Sequence, residues 1–138
     1  VLILHQHERV AFGMQKDVNL WLREKSPNWH LAVLMALQLQ LNWNGKLNLI
    51  ASAETKEDKV RIHDFLERLS DTARLPSLTN FHVVVGDFQD TIEAAPKADV
   101  NIFGLGEKPS FEFMRSVVKK TNSSCLFVKD SGHESALV

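Results

Sequence analysis

Five short apolar runs, each separated from the next by a stretch of helical character, constrain this chain more than any other feature. The runs are Val18–Leu22, Lys46–Ala51, Phe81–Val85, Asp99–Phe103 and Cys125–Lys129. Runs of this length, nearly continuous in apolar character, belong to strands covered on both faces. Between them, Trp29–Asn42, the stretch behind Thr55, Phe88–Ala95 and Ser110–Thr121 read as helices. A strand that returns parallel to its neighbour needs a crossover, and these helices supply it. Right-handed crossovers leave few topologies, of which the doubly wound kind is expected. The fold class is therefore three-layer α/β, with a five-stranded, mainly parallel sheet and helices on both faces.

Local signals agree with this frame. Pro27 stands where a helix start tolerates it, and Asn44-Gly45 stops that helix. Thr55-Lys56-Glu57-Asp58 has the form of a capping box with aspartate in its last position. The helix behind it sets Ile62, Phe65, Leu66, Leu69 and Ala73 on one face, at spacings of three and four. Phe111, Met114 and Val118 are expected to face inward from the last helix. The helix over 29–42 differs, because its leucines from Leu31 to Leu41 surround the axis. A helix apolar all round is buried on more than one side. Either it lies deep under the sheet beneath overhanging loops, or a partner covers it. Leu34, Leu37, Leu41 and Trp43 are the candidate contact residues for such a partner.

With 138 residues the chain has the size of one domain. It carries 16 basic and 17 acidic residues spread along its length, which gives no handle for nucleic acid or an anionic membrane surface. No run approaches the roughly 20 apolar residues needed to cross a bilayer. The single cysteine, Cys125, lies within Ser124-Cys125-Leu126-Phe127-Val128 and reads as a buried small hydrophobe in a reducing compartment. Val1-Leu2-Ile3-Leu4 reads like a strand cut from something longer. The expected organisation is a strand or linker over 1–16 from a preceding part of a longer chain, an α/β domain over 17–130, and a loose tail over 131–138.

Ligands of doubly wound sheets bind beyond the carboxyl ends of the strands. The first such loop, Arg23 to Asn28, has no glycine with which to approach a phosphate. Gly104-Leu105-Gly106 with Lys108 is the one glycine pair, a weak candidate for an anion or nucleotide and more simply a tight turn. His5 and His7 would share one face of a strand as metal ligands, but a third ligand is lacking nearby. His30, His63, His82 and His133 show no common spacing, and His82 reads as a cross-strand packing residue. Ser110, Ser116, Ser123 and Ser124 lack a nucleophile-elbow context. Asp87 with Asp90, and Glu54 with Glu57, sit at helix starts where capping and the helix dipole explain them. Trp21, Trp29 and Trp43 are expected to pack the ends of the first helix rather than stack bases. The residues therefore point to no catalytic constellation, no metal and no cofactor.

The unit Lys16-Asp17-Val18-Asn19-Leu20-Trp21-Leu22, followed by a short turn, the helix Leu31 to Leu41, Trp43 and the strand Lys46 to Ile50, carries a resemblance. From Asp17 to Val128 the chain resembles the universal-stress-protein-like fold, and more narrowly the C-terminal cytosolic domain of cation–chloride cotransporters of prokaryotic type. It departs from that pattern in its first loop, usually acidic and glycine-rich, and from nucleotide-binding stress proteins in lacking a glycine between Gly106 and Gly132. The resemblance implies a non-enzymatic regulatory or assembly domain on the cytoplasmic side of the cell membrane. It further implies a homodimer that also contacts neighbouring domains of its own transporter chain, with the membrane reached only through a transmembrane part. The alternative is a stress-protein-like domain that senses a nucleotide or other anion.

Overall fold

The computed structural model describes residues 1–23, 29–105 and 110–129. Along them run β1 (Leu2–His5), β2 (Val18–Trp21), α1 (Trp29–Trp43), β3 (Leu47–Ala53), α2 (Lys56–Thr72), β4 (Asn80–Val85), α3 (Phe88–Ala94), β5 (Val100–Gly104), α4 (Phe111–Thr121) and β6 (Ser124–Val128). The strands form one sheet in the order β1-β6-β5-β2-β3-β4. Five of them are parallel, and β1 runs antiparallel to β6, with Leu2 opposite Val128 and His5 opposite Cys125.

The sheet thus has six strands where five were expected. Without β1, β6 would present a row of unpaired backbone groups at the sheet edge. The N-terminal segment folds back and satisfies them, and Lys129 N–H donates to Val1 O at 2.8 Å to extend the pairing.

Strand alternation divides the core into two. Val18, Leu20 and Leu22 join Leu47, Leu49, Val100 and Ile102 on the face that α1 and α2 cover. Ile50, Phe103, Cys125 and Phe127 lie on the opposite face, against Met114, Val117 and Val118 of α4 and Ile92 of α3. α1 packs over β2, β5 and β3, and α2 over β3 and β4, while α4 packs over β6 and β1. Helices therefore lie on both sides, as the alternating pattern requires.

α1 shows how an all-round apolar helix is accommodated. Its fully buried stripe is made of small residues, Ala32, Val33 and Ala36, which let the helix axis approach the sheet closely. Its leucines flank that stripe and are half-buried, except Leu41, which is 65% exposed. The amphipathic α2 buries Ile62, Leu66 and Leu69, with Ala73 closing the stripe at its C-cap. Thr55 caps it, its hydroxyl accepting Asp58 N–H at 3.1 Å. The reciprocal capping box forms instead at α3, where Asp87 and Asp90 each accept the other's backbone N–H, at 2.8 and 3.2 Å. Ser110 caps α4, and Asn122 ends it in the left-handed conformation. Phe111 is exposed rather than inward. It opens the first turn of α4, one turn before the buried stripe of Met114, Val117 and Val118 begins.

Asp99 ties the N-terminal arm to this frame. Its carboxylate accepts the backbone N–H groups of Met14, Lys16 and Asp17 at 2.9, 3.0 and 2.8 Å. Gly13, with φ of +56°, passes so close that a Cβ would overlap that carboxylate. Asp17 in turn accepts Lys46 N–H at 3.1 Å, which holds the starts of β2 and β3 level.

Candidate functional site

The chain leaves β2 toward α1 on one face and β5 toward α4 on the other. Between the carboxyl ends of two adjacent strands that depart in opposite directions a crevice must open. A cleft of about 530 Å³ lies there. Trp21 and Phe103 form its floor, Phe88 and Thr91 come from α3, and Phe113 comes from α4. Arg23, Ser52 and Gly104 stand at its rim, at the ends of their strands.

The aromatic floor is held in place from below. Trp21 stacks on Phe103 with ring centres 5.0 Å apart, and Phe103 stacks on Phe127 at 5.7 Å. Phe88 meets both Trp21 and Phe103 edge-on, and its ring lies 5.7 Å from that of Phe113. Trp21 Nε1–H donates to Asn101 Oδ1 at 2.8 Å, and Asn101 Nδ2 donates to Ser123 Oγ at 2.6 Å. The indole is thereby fixed in orientation, with its polar atom satisfied inside the protein. Thr91 is also satisfied, its hydroxyl donating to Asp87 O at 2.8 Å.

Beneath the floor a row of asparagines crosses the sheet, and sequence reasoning missed it. Asn80, Asn48, Asn19 and Asn101 are register partners across β4, β3, β2 and β5. Asn80 Nδ2 donates to Asn48 at 3.3 Å, Asn48 Nδ2 to Asn19 at 2.9 Å, and Asn19 Nδ2 to Pro96 O at 2.7 Å. The available signal was the recurrence of Val-Asn-Leu, Leu-Asn-Leu and Val-Asn-Ile in three strands. A one-residue slip of any of these strands would put an amide into the apolar core under α1, so the row pins the register.

The other expected site residues scatter. Gly104 ends β5 at the cleft, while Gly106, Lys108 and residues 24–28 of the first loop lie outside the described residues. Trp21 does not pack the end of α1. Its place in β2 points it to the other face, because Leu20 and Leu22 take the α1 side. Trp43 does pack that end, with its ring 6.4 Å from Phe12, and Trp29 stacks on His30. Leu34 and Leu37 are half-buried against the core.

His7 Nδ1 accepts the backbone N–H groups of Arg9 and Val10 at 3.1 and 3.2 Å, so it serves as a turn cap. His63, Asp64 and Glu67 bring ligand-type atoms within 4.8 Å of one another, all on the exposed side of α2. Burial lowers the pKa of His82, which lies half-buried in β4. Burial also pushes the Cys125 thiol up to about 11, against the pull of hydrogen bonding with Thr121 and Ser123. That thiol is a packing group, not a nucleophile. Among the described residues no helix is long and apolar enough to cross a membrane.

The family model described as "Prokaryotic cation-chloride cotransporter, C-terminal domain, 2nd" matches residues 13–137. The crystal structure of the cytoplasmic domain of a prokaryotic cation chloride cotransporter is similar over 99% of this chain, at 31% identity and a TM-score of 0.90. The chain spans 54% of that structure's length. The structure of universal stress protein from Archaeoglobus fulgidus is similar over 83% of this chain and 93% of its own, at 17% identity and a TM-score of 0.66, a likeness of fold. No curated protein matches the chain.

Proposed function

Because this chain belongs to the family of prokaryotic cation–chloride cotransporter C-terminal domains, we propose that it is the non-catalytic regulatory and assembly domain of such a transporter. It acts on the cytoplasmic side of a membrane protein that moves chloride with sodium or potassium, and it carries no ion itself. The observation that supports this reading is an apolar face left partly bare. α1 and α2 cover one side of β5, β2, β3 and β4, and the sheet continues past them to β6 and β1. On that same side Leu2 and Leu4 are 48% and 52% exposed, opposite Val128 and Leu126 of the adjoining core. Leu41, on α1, is exposed as well. The partner we assign is a second copy of the chain, with neighbouring domains of the same transporter beside it.

Light scattering over a dilution series tests this. A concentration-dependent dimer that Leu41→Glu weakens is the expected result, and Leu41 is exposed enough for the variant to fold. A strict monomer at every concentration would refute the second copy as the partner.

A second reading, a domain that senses a nucleotide or other anion, is favoured by the cleft at the ends of β2 and β5 and by Arg23 at its rim.

A further inference from the structure

We propose that this cleft binds a small planar aromatic monoanion, its ring against Phe88 and Phe113 and its anionic group toward Arg23. The inference rests on the ligand-sensing reading and narrows it to one chemical class.

The cleft has the size of pockets that hold small molecules, which run to roughly 300–1,000 Å³, and its own volume is about 530 Å³. Four of its described lining residues are aromatic, and they come from four different elements. Trp21 and Phe103 are buried and already stacked on each other, so the base of the cleft is rigid and needs no ordering when a ring arrives. Phe113 is different. It stands 46% exposed at the mouth, tilted against Phe88, with apolar area in water that a flat ligand would cover.

Charge narrows the class further. The described lining holds one cation, Arg23, and no carboxylate. Ser52 brings a hydroxyl to the rim, whereas the Thr91 hydroxyl and the Trp21 N–H are already used within the protein. A guanidinium pairs best with a planar, singly charged group such as a carboxylate, which it can hold through two parallel bonds. A flat apolar body with one negative charge fits this lining. A triphosphate would bring several charges to a rim whose described residues offer one.

The test titrates the protein with three probes: indole-3-carboxylate, its neutral analogue indole-3-carboxamide, and ATP with magnesium. Binding is read by calorimetry and by saturation transfer to the probe protons. The expected result is saturable binding of the carboxylate, weakened at least about tenfold by Phe113→Ala, the scale of one lost aromatic contact. Arg23→Gln should reduce the preference for carboxylate over carboxamide to near unity. Both positions are exposed, so both variants fold, and circular dichroism confirms it. Carboxylate binding that neither variant alters would overturn the proposal. Binding of ATP without binding of indole-3-carboxylate would overturn it while leaving the ligand-sensing reading intact. Binding of neither would remove both.

Discussion

Replacing Asp99 by alanine tests the claim that one carboxylate docks the N-terminal arm onto the sheet. Three backbone N–H groups lose their acceptor, those of Met14, Lys16 and Asp17. A hydrogen bond to a charged acceptor contributes roughly 1.5–3 kcal/mol when sheltered, and here only the bond from Asp17 is partly buried. The other two lie in the open, where solvent competes and about 0.5 kcal/mol each is the fair figure. With the Asp17 bond discounted to about 1–2 kcal/mol because it is only partly buried, the loss is about 2–3 kcal/mol. For a chain of 138 residues that corresponds to a fall in Tm of roughly 8–12 °C.

Thermal and urea unfolding followed by circular dichroism measure the loss, and hydrogen exchange at residues 14–17 locates it. The pH dependence supplies an internal control. Desolvation raises the Asp99 pKa, but the bonds from Asp17, Met14 and Lys16 and the charge of Lys16 outweigh it, so the folded value lies below 3.8. A carboxyl depressed in the folded state stabilises fully above its unfolded pKa and loses that contribution as pH falls through the folded value. The gap between parent and variant should thus be constant near neutrality and close below about pH 4. A variant melting within about 2 °C of the parent at pH 7 would refute the reasoning. So would a gap that stays the same in acid.

Gly45→Ala should be severe, because a Cβ there would overlap the backbone carbonyl of Lys16 and no side-chain rotation relieves it. A loss of about 2–4 kcal/mol in urea titrations is expected, and a change below about 0.5 kcal/mol would contradict the packing. Asn48→Ala removes the donor to Asn19 and the acceptor for Asn80. It should destabilise by about 1–3 kcal/mol, and backbone NMR shifts in β2 and β4 should move with it. His82 has a folded pKa below its ordinary 6.5 because burial disfavours the charged ring. Its contribution is complete above that value and fades as pH falls through the lower folded one, so His82→Gln should flatten the stability profile between about pH 7 and 5. An unchanged slope in that window would refute this.

Much of the fold was legible in the residues themselves. Apolar runs too short for helices, alternating with amphipathic stretches, leave few ways to bury both faces of each strand, and the sheet with helices on both sides follows. The α2 stripe, the cap at Thr55, the stop at Gly45 and the burial of Cys125 are local consequences of spacing and turn chemistry. The cotransporter resemblance also rested on local order, a strand, a leucine-rich helix and a second strand in sequence. What the chain alone could not decide depends on residues distant in sequence meeting in space. Whether Leu2–His5 joined this sheet turned on the open edge of β6, which exists only once the other strands have paired. Which face Trp21 took depended on strand parity relative to the helix crossovers. The asparagine row and the aromatic cleft are built from strands far apart in sequence and joined across the sheet, as Trp21 and Asn101 are at a separation of 80 residues. Periodicity reports which residues share a face of one element; only the packed sheet decides which faces meet.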